Sequence, residues 1–241
     1  MLKVELHAHT ALDPADFIPH TTRQLIDRAA ALGYGALAIT LHDRYYDPVE
    51  DAAYARRRGL VLIPGIERTI ERRHLLLLNF PADCAAVSTF GELRALRHRH
   101  PAGLVIAPHA FYPISSAMRG DLDRCADLID ALEINAMFTR WVDFNAGAVA
   151  WARSRGKPLV GNTDLHLLRQ LGTTYTLVDA APDPAAICDA IRQGRVEVRS
   201  APLPLVVACA LFGAASVLGA VGRARRLFGA GAPEAPPRAA R

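Results

Sequence analysis

Short apolar runs alternate with amphipathic segments through residues 1–198 of this chain. The runs are rich in Val, Ile and Leu and predict buried strands over 3–6, 36–40, 60–66, 74–78, 104–107, 131–134, 159–161 and 174–178. Apolar positions at helical spacing, with Gly or Pro near the ends, predict helices over 22–32, 48–58, 89–99, 121–128, 145–154 and 183–193. Strands that alternate with helices are typical of parallel βα units. About seven such units favour an α/β fold with a closed or nearly closed barrel.

Residues 203–222 have a different pattern. From Leu205 to Val221 there are 17 consecutive uncharged residues, apolar on every face of a helix. A helix of that length rises about 26 Å, slightly less than the ~30 Å hydrocarbon core of a bilayer. The segment predicts an apolar C-terminal helix that is either a membrane anchor or packed on the barrel or in a dimer contact. Spanning would carry the five following arginines across the membrane, against the positive-inside bias.

Composition narrows the class of protein. The 241 residues are 51% apolar and 22% charged, which excludes a wholly disordered chain. We expect a barrel domain at 1–200, the apolar helix at 203–222 and a basic flexible tail at 223–241, whose Gly/Ala/Pro/Arg-rich end predicts disorder. Four scattered cysteines and a first segment without an apolar signal region indicate a cytoplasmic protein. Membrane association through 203–222 stays open.

The net charge of +4 comes from the end of the chain. Residues 199–241 hold six Arg and one Glu, so residues 1–198 hold 22 basic and 23 acidic side chains. A nearly neutral body without a basic stripe disfavours an extended nucleic-acid surface.

Histidines and carboxylates recur where the predicted strands end. These positions are His7, His9, His42, Asp43, Glu67, His109, Asp164 and His166. His7 and His9 stand at i, i+2 spacing, and so do Asp164 and His166. In an extended segment this spacing points both side chains of a pair the same way. Because the carboxyl ends of parallel barrel strands meet on one face, we expect these groups to converge on a metal site.

His74 opens a predicted strand instead of ending one. Residues 68–73 alone separate it from Glu67, so a hairpin there would place both side chains on the same face. The remaining histidines fit no strand end and are interpreted as structural: His20, His98 and His100.

The motifs follow one another in a recognisable order over residues 3–180. They are HAH after the first strand, TLHD after the second, GIE, a histidine that opens the next strand, APH, and TDLH near the end. This order resembles the PHP (polymerase and histidinol phosphatase) family of metal-dependent phosphoesterases. The resemblance implies a distorted (β/α)7 TIM-like barrel with two or three divalent metal ions (Mn, Zn or Fe). The metal ligands it implies are His7, His9, Asp13, His42, Glu67, His74, His109, Asp164 and His166.

Two positions depart from the family pattern. Asp13 stands in ALDP, one residue short of the family's Ser-Asp-Gly, and Leu41 replaces the first Asp of the family's TDH motif. The resemblance makes Glu67 a bridge between two ions and leaves open whether a third ion binds.

The donor set predicts the chemistry. Imidazole and carboxylate without thiolate suit Mn²⁺, Zn²⁺ or Fe²⁺. Two ions ~3.5–4 Å apart can hold a bridging hydroxide and the phosphate oxygens together, so we expect hydrolysis of a phosphate ester of a small metabolite or nucleotide. Asp43 and Arg44, beside the ligands, are the candidate catalytic residues. Candidate substrate-binding residues are Arg119, Arg140, Asn135 and Arg169, because Arg forks match phosphate.

Three other functions fit the sequence less well. A nuclease or nucleoside-phosphate phosphatase would need a basic or aromatic groove that leads to the metals. A non-catalytic, metal-stabilised binding protein tethered to a membrane would be expected to have lost ligands. An amidohydrolase often uses a carboxylated lysine on a strand, and Lys3 and Lys157 do not end strands beside the ligands.

Overall fold

Ten strands and six α-helices follow one another in residues 1–227, the part of the chain that the computed structural model describes. The strands are β1 (Leu2–Glu5), β2 (Ala36–Ala38), β3 (Val61–Ile63), β4 (Gly65–Ile70), β5 (Arg73–Leu78), β6 (Leu104–Ala107), β7 (Ala131–Asn135), β8 (Leu159–Asn162), β9 (Thr174–Val178) and β10 (Val196–Ser200). The helices are α1 (Thr22–Ala31), α2 (Val49–Arg57), α3 (Phe90–Arg99), α4 (Asn145–Arg155), α5 (Pro184–Arg192) and α6 (Leu205–Leu227). The part of the predicted tail at 228–241 lies outside the described residues.

The strands form two five-stranded sheets. One has the order β10–β9–β1–β2–β3 and the other β4–β5–β6–β7–β8. β1–β2–β3 and β6–β7–β8 are parallel, as predicted, whereas β9 and the β4–β5 hairpin run antiparallel to their neighbours. The α/β class is confirmed, and the closed TIM-like barrel is not.

Two local features account for the interrupted barrel. Pro64 has no N–H to donate and separates β3 from β4, so the predicted strand at 60–66 is divided. On the other side, Gly161 of β8 donates its N–H to Oγ1 of Thr176 at 2.8 Å, and its carbonyl accepts from the same hydroxyl at 3.0 Å. A side chain thus takes the place of a backbone ladder between β8 and β9.

Isolated bridges join the two sheets near the carboxyl ends of their parallel strands. Ala8 pairs with Leu165, and His42 pairs with Glu67. Both bridges lie on or beside candidate ligands, so the sheets come together where the chemistry is expected.

The segment 121–128 is not the helix that its apolar spacing predicts. Leu122, Cys125 and Leu128 are buried, but their N–H groups bond three residues back instead of four. Apolar residues three apart match successive tight turns, whereas an α-helix has 3.6 residues per turn. The predicted elements also lack β10, a half-exposed edge strand that pairs with β9.

Helix α6 extends beyond the predicted segment 203–222 at its carboxyl end. It packs against the domain along one narrow face. Leu211, Gly219 and Gly222 are buried. A Cβ added to Gly222 would lie 2.5 Å from the carbonyl oxygen of Ala15, so glycine is what allows this close approach. Within residues 1–227, α6 is the helix long and apolar enough to cross a membrane, and 12% of its apolar window is buried.

Candidate metal centre

The nine candidate ligands converge between the two sheets. They are His7, His9, Asp13, His42, Glu67, His74, His109, Asp164 and His166. Their nitrogen and oxygen atoms form five groups of three, and the atoms within each group lie within 4.8 Å of one another. The tertiary fold therefore brings together donors that are as far apart in the sequence as His7 and His166.

Glu67 occupies the middle of this cluster and is 1% exposed. Its Oε2 lies 3.3 Å from His7 Nε2, 3.4 Å from His9 Nε2 and 3.2 Å from His42 Nε2. Its Oε1 lies 2.6 Å from His74 Nδ1 and 3.1 Å from His109 Nε2. The two oxygens thus face two separate sets of imidazoles.

The β4–β5 hairpin brings His74 to Glu67. Thr69 stands opposite His74 in the antiparallel register, and Glu71 and Arg72 make the turn at φ values of 46° and 71°. The hairpin predicted from the short link between Glu67 and His74 is confirmed.

Asp13 orients two of the imidazoles. Its Oδ2 lies 2.8 Å from Nδ1 of His9 and 3.0 Å from Nδ1 of His42. With both Nδ1 atoms held, the Nε2 atoms of the two rings face Glu67. The Oδ1 of Asp13 accepts the N–H groups of Ala15 and Asp16, so the loop itself is built around this carboxylate.

Asp164 and His166 close the cluster from the end of β8. The Oδ1 of Asp164 lies 3.3 Å from both His7 Nε2 and His9 Nε2. The Nε2 of His166 lies 3.2 Å from Oδ2 of Asp16, a residue that the pattern analysis did not single out. Asp16 stands three residues past Asp13 in the same loop, and its proximity to His166 follows from the fold alone.

Glu133 was also missed. It is fully buried in β7, and its Oε2 lies 2.8 Å from Nδ1 of His7. Its neighbour Asn135, predicted to bind substrate, is 2% exposed and donates Nδ2 to Oε1 of Glu133 at 2.9 Å. Asn135 therefore supports the carboxylate behind His7 and does not line an open pocket. A glutamate inside an apolar strand was the signal available in the sequence, since a buried charge needs a partner.

The electrostatics of the cluster favour a cation. Burial alone would lower the pKa of His7, but the carboxylates of Asp164, Glu133 and Glu67 raise it well above its usual value. Burial alone would raise the pKa of Glu67, but the imidazoles of His74, His42 and His7 hold it well below its usual range. The carboxylates therefore remain ionised, and their field attracts positive charge to the imidazole nitrogens.

Buried polar atoms without partners also indicate a bound cation. Among the described residues, His7 Nε2, His9 Nε2 and Glu67 Oε2 are buried without a hydrogen-bond partner. An unsatisfied buried polar atom costs about 1–3 kcal/mol. Three such atoms within one group, all with metal-ligating chemistry, fit a divalent cation.

Three residues at the centre have left-handed backbone conformations. The φ angles of Asp43, His109 and Asp164 are 50°, 33° and 50°. Asp tolerates this region, but a histidine there costs about 1–2 kcal/mol. The surrounding contacts hold these conformations, as is common where side chains must be aimed at a site.

Comparisons with known proteins place this geometry in a family. A family model described as PHP-associated matches residues 143–196. Over 81 residues, 34% of this chain, the sequence is 37% identical to the PolC-type DNA polymerase III of Streptococcus pyogenes. A two-domain Bacteroides vulgatus protein containing a predicted PHP-like metal-dependent phosphoesterase superposes with a TM-score of 0.59 at 18% identity, over 83% of this chain and 64% of that chain. Together these similarities support a protein of the PHP family.

The curated relative is a far larger protein. The matched segment spans 6% of the length of the Streptococcus pyogenes polymerase. Two further structures share the fold of this chain at 16% identity. PsfC from Pseudomonas syringae has a TM-score of 0.64, over 91% of this chain and 98% of that one. The lesion-specific endonuclease EndoQ of Pyrococcus furiosus has a TM-score of 0.54, over 82% and 57%.

The remaining predicted site residues of the chain lie around the cluster. The carboxylate of Asp43 accepts from Nη1 of Arg68 at 2.6 Å and from the N–H of Thr69 at 2.7 Å, so it is engaged away from the nine. Arg44 donates to the carbonyl of Leu12 at 3.0 Å, and Arg119 donates to that of Tyr112 at 2.7 Å. Both contacts are with loop backbone.

Arg140 and Arg169 are exposed, and Arg169 borders a groove against α6. His20, predicted to be structural, is 3% exposed and its Nε2 lies 2.9 Å from the carbonyl oxygen of His9. Burial lowers the pKa of His20 to about 4. The ring is therefore neutral at physiological pH and supports the backbone of a candidate ligand.

Proposed function

We propose that this protein hydrolyses a phosphate ester of a small molecule with two or three divalent metal ions held by the nine clustered residues. The observation that carries the proposal is the position of Glu67, whose two buried oxygens face separate imidazole sets at 2.6–3.4 Å. A carboxylate so placed suits a ligand shared by two ions. The donor set suits Mn²⁺, Zn²⁺ or Fe²⁺.

The side chains divide into a buried floor and a more open rim. His7, His9 and Glu67 are at most 1% exposed, whereas the side chains of Asp164 and His74 are 26% and 19% exposed. A phosphate group would approach from the side of the rim. There the divalent ions would supply positive charge to phosphate oxygens and lower the pKa of bound water toward ~7.

The protein's own residues would set the geometry of this reaction. Asp13 and Glu133 hold the Nδ1 atoms of three candidate ligands, which keeps the Nε2 atoms directed at the centre. Arg44 lies in the loop after His42, and its guanidinium is the proposed contact for the substrate phosphate. Asp43 would anchor that loop through Arg68 and Thr69. Arg119, Arg140 and Arg169 are the proposed outer phosphate contacts.

A nuclease is the second candidate. The PolC-type polymerase and the lesion-specific endonuclease among the similar proteins favour it. The nearly neutral charge of residues 1–198 argues against extended nucleic-acid binding, because phosphate-backbone affinity depends on clustered Lys and Arg.

The test combines metal analysis with turnover. The full chain is purified, its metal content is measured by elemental analysis, and hydrolysis of p-nitrophenyl phosphate and bis-p-nitrophenyl phosphate is followed with added Mn²⁺. We expect two or three ions per chain and turnover that a His9→Ala variant loses. His98→Ala removes an exposed histidine outside the cluster and serves as the matched control.

Each outcome decides between the candidates. Monoester turnover supports the phosphatase, whereas cleavage restricted to the diester would support the nuclease. A chain that binds no metal would overturn the proposal.

A further inference from the structure

The outer face of α6 is an apolar surface along a whole helix. Val206, Phe212 and Val217 are 81%, 70% and 62% exposed. The sequence has no charged residue between Leu205 and Gly222. Single exposed apolar residues are ordinary on a soluble protein, but a continuous run of them marks a contact surface.

The position of α6 excludes two ordinary explanations for such a helix. A core helix would be mostly buried, and 12% of the apolar window of α6 is buried. A signal sequence would lie near the amino terminus, and α6 begins at Leu205. The apolar character of the outer face therefore needs another environment.

The inner face of α6 passes close to the metal centre. A Cβ added to Gly219 would lie 3.5 Å from Oδ1 of Asp16, and Oδ2 of the same carboxylate lies 3.2 Å from Nε2 of His166. One side chain thus separates α6 from a candidate metal ligand.

A groove of about 530 Å³ opens between α6 and the segment that follows His166. Leu167, Leu168 and Arg169 line one side, and Gly213, Val217 and Leu218 of α6 line the other. The volume is typical of small-molecule sites. The lining is apolar apart from Arg169. It begins at Leu167, the residue that follows the candidate ligand His166 in the sequence.

We propose that α6 stays docked with its outer face in the surface of an anionic bilayer, and that the substrate is a membrane phosphate ester whose apolar chain lies in this groove. The substrate part rests on the proposed phosphoesterase function. The outer face would bury its apolar side chains at the boundary of headgroups and acyl chains.

Charge favours this orientation over a spanning helix. Arg223 is exposed directly after the apolar run, and the sequence continues with Arg225 and Arg226. Basic residues beside an apolar surface attract anionic headgroups. A spanning helix would instead have to carry these charges across the membrane.

The first experiment measures binding to vesicles by sedimentation. The full chain is mixed with vesicles of phosphatidylcholine alone or with added phosphatidylglycerol. We expect binding to the anionic vesicles that Val206→Glu and Phe212→Glu each weaken by about tenfold, since a charge at an apolar membrane contact is costly. Val49→Glu is the matched control, because Val49 is 74% exposed in the first turn of α2.

Two results of that experiment would overturn the membrane part. One is equal sedimentation of Val206→Glu and Val49→Glu. The other is no vesicle binding by a chain that forms dimers in light scattering, with the dimers lost in Phe212→Glu, which would make the face a contact between two copies.

The second experiment measures phosphate release from ethyl, butyl and octyl phosphate with Mn²⁺. We expect kcat/KM to rise by at least about tenfold from ethyl to octyl, because each buried methylene contributes. Gly213→Phe fills the groove, since a Cβ at Gly213 meets nothing within 4 Å, and should bring the octyl-to-ethyl ratio close to one. Gly91→Phe in α3 is the control, because a Cβ there meets only Thr89 Oγ1, at 3.8 Å.

The outcomes separate this inference from the proposed function. Release that does not depend on chain length would overturn the substrate part of the inference and leave the phosphoesterase standing. No release from any ester would overturn the phosphoesterase and the substrate part together, whereas the vesicle experiment alone decides the membrane part.

Discussion

Glu133 sets the ring orientation of His7. With Nδ1 held 2.8 Å from Glu133, the Nε2 atom of His7 is the one that faces Glu67 and Asp164, each at 3.3 Å. Asn162 also donates to Glu133, at 3.1 Å, so the carboxylate is itself fixed. A carboxylate behind a metal-binding imidazole fixes its tautomer and raises its basicity.

The substitution Glu133→Gln should therefore weaken metal binding. We expect the affinity for Mn²⁺ to fall about 10–100-fold, because the amide supports the imidazole less well than the carboxylate. Isothermal titration calorimetry at pH 7 measures the change. Glu197→Gln on the exposed edge strand is the control and should bind as the parent does. Equal affinities for the two variants would show that Glu133 does not act through His7.

Glu5 is the buried carboxylate of β1 and contacts the backbone behind the centre. Burial raises its pKa to about 8, although hydrogen bonds from Thr163 and from the N–H of His7 act in the opposite direction. The unfolded value is 4.5. Between these two pH values the folded protein keeps a proton that the unfolded chain has lost, so this residue makes stability fall as pH rises.

The variant Glu5→Gln should remove that pH dependence. From pH 6 to pH 8 the metal-free parent should lose about 2 kcal/mol of unfolding free energy through Glu5, and the variant should not lose it. Urea unfolding in a chelator at the two pH values gives the difference. Parallel losses in parent and variant would mean that Glu5 is ionised in the folded protein at pH 6.

At the scale of the elements, Gly222 decides how α6 lies on the domain. Gly222 passes the loop at Ala15 so closely that a Cβ would stand 2.5 Å from a carbonyl oxygen, 3.0 Å from Cα of Asp16 and 3.1 Å from the N atom of Phe17. All three atoms belong to backbone, which cannot turn aside as a side chain can. The loop in question holds Asp13 and Asp16, so the packing of α6 is connected to the centre.

A pair of alanine substitutions within α6 tests this packing. Gly222→Ala should lower the unfolding free energy by about 1–3 kcal/mol through overpacking. Gly213→Ala, where a Cβ meets open space, should raise it by up to about 1 kcal/mol through helix propensity. Urea unfolding of both proteins measures the two changes. If both substitutions stabilise the protein equally, α6 does not dock through Gly222.

At the scale of the whole molecule, the two sheets meet at the candidate metal centre. Glu67 comes from one sheet and His7 and His9 follow the central strand of the other. Their unpaired buried atoms face one another across that junction. A bound cation would therefore hold the two sheets together as well as serve the reaction.

Removing the metal should destabilise the protein as a whole. A ligand present at about 100 times its dissociation constant contributes about 2.7 kcal/mol, which corresponds to roughly 5–10 °C in Tm for a domain of this size. Calorimetry before and after treatment with EDTA measures the shift. The Tm should recover when Mn²⁺ is added back. The His98→Ala variant should show the same loss and recovery of Tm as the parent. An unchanged Tm would mean that no ion links the sheets.

Local patterns were sufficient for the elements and for most of the candidate centre. The strand at 104–107 was predicted with its observed ends because Gly103 and Pro108 bound a run of four apolar residues, which is too short for a helix. Seven of the nine candidate ligands could be named because parallel strands deliver their ends to one face, whatever the details of closure. His74 followed from the short link that predicts a hairpin, and Asp13 was implied only by the family resemblance. The helix predicted over residues 121–128 was wrong because spacings of 3 and 3.6 residues per turn cannot be told apart over two turns.

The contacts that cross the molecule were decided by the tertiary structure. Whether the sheets close depends on Pro64 and on the hydroxyl of Thr176, and neither residue has a local signature of that role. The pairing of Glu133 with His7 and of Asp16 with His166 joins residues remote in sequence, so periodicity carries no information about it. The sequence by itself determined which donors exist and which end of the strands they occupy. Their partners and orientations, and the face that α6 leaves exposed, depend on side-chain packing in three dimensions.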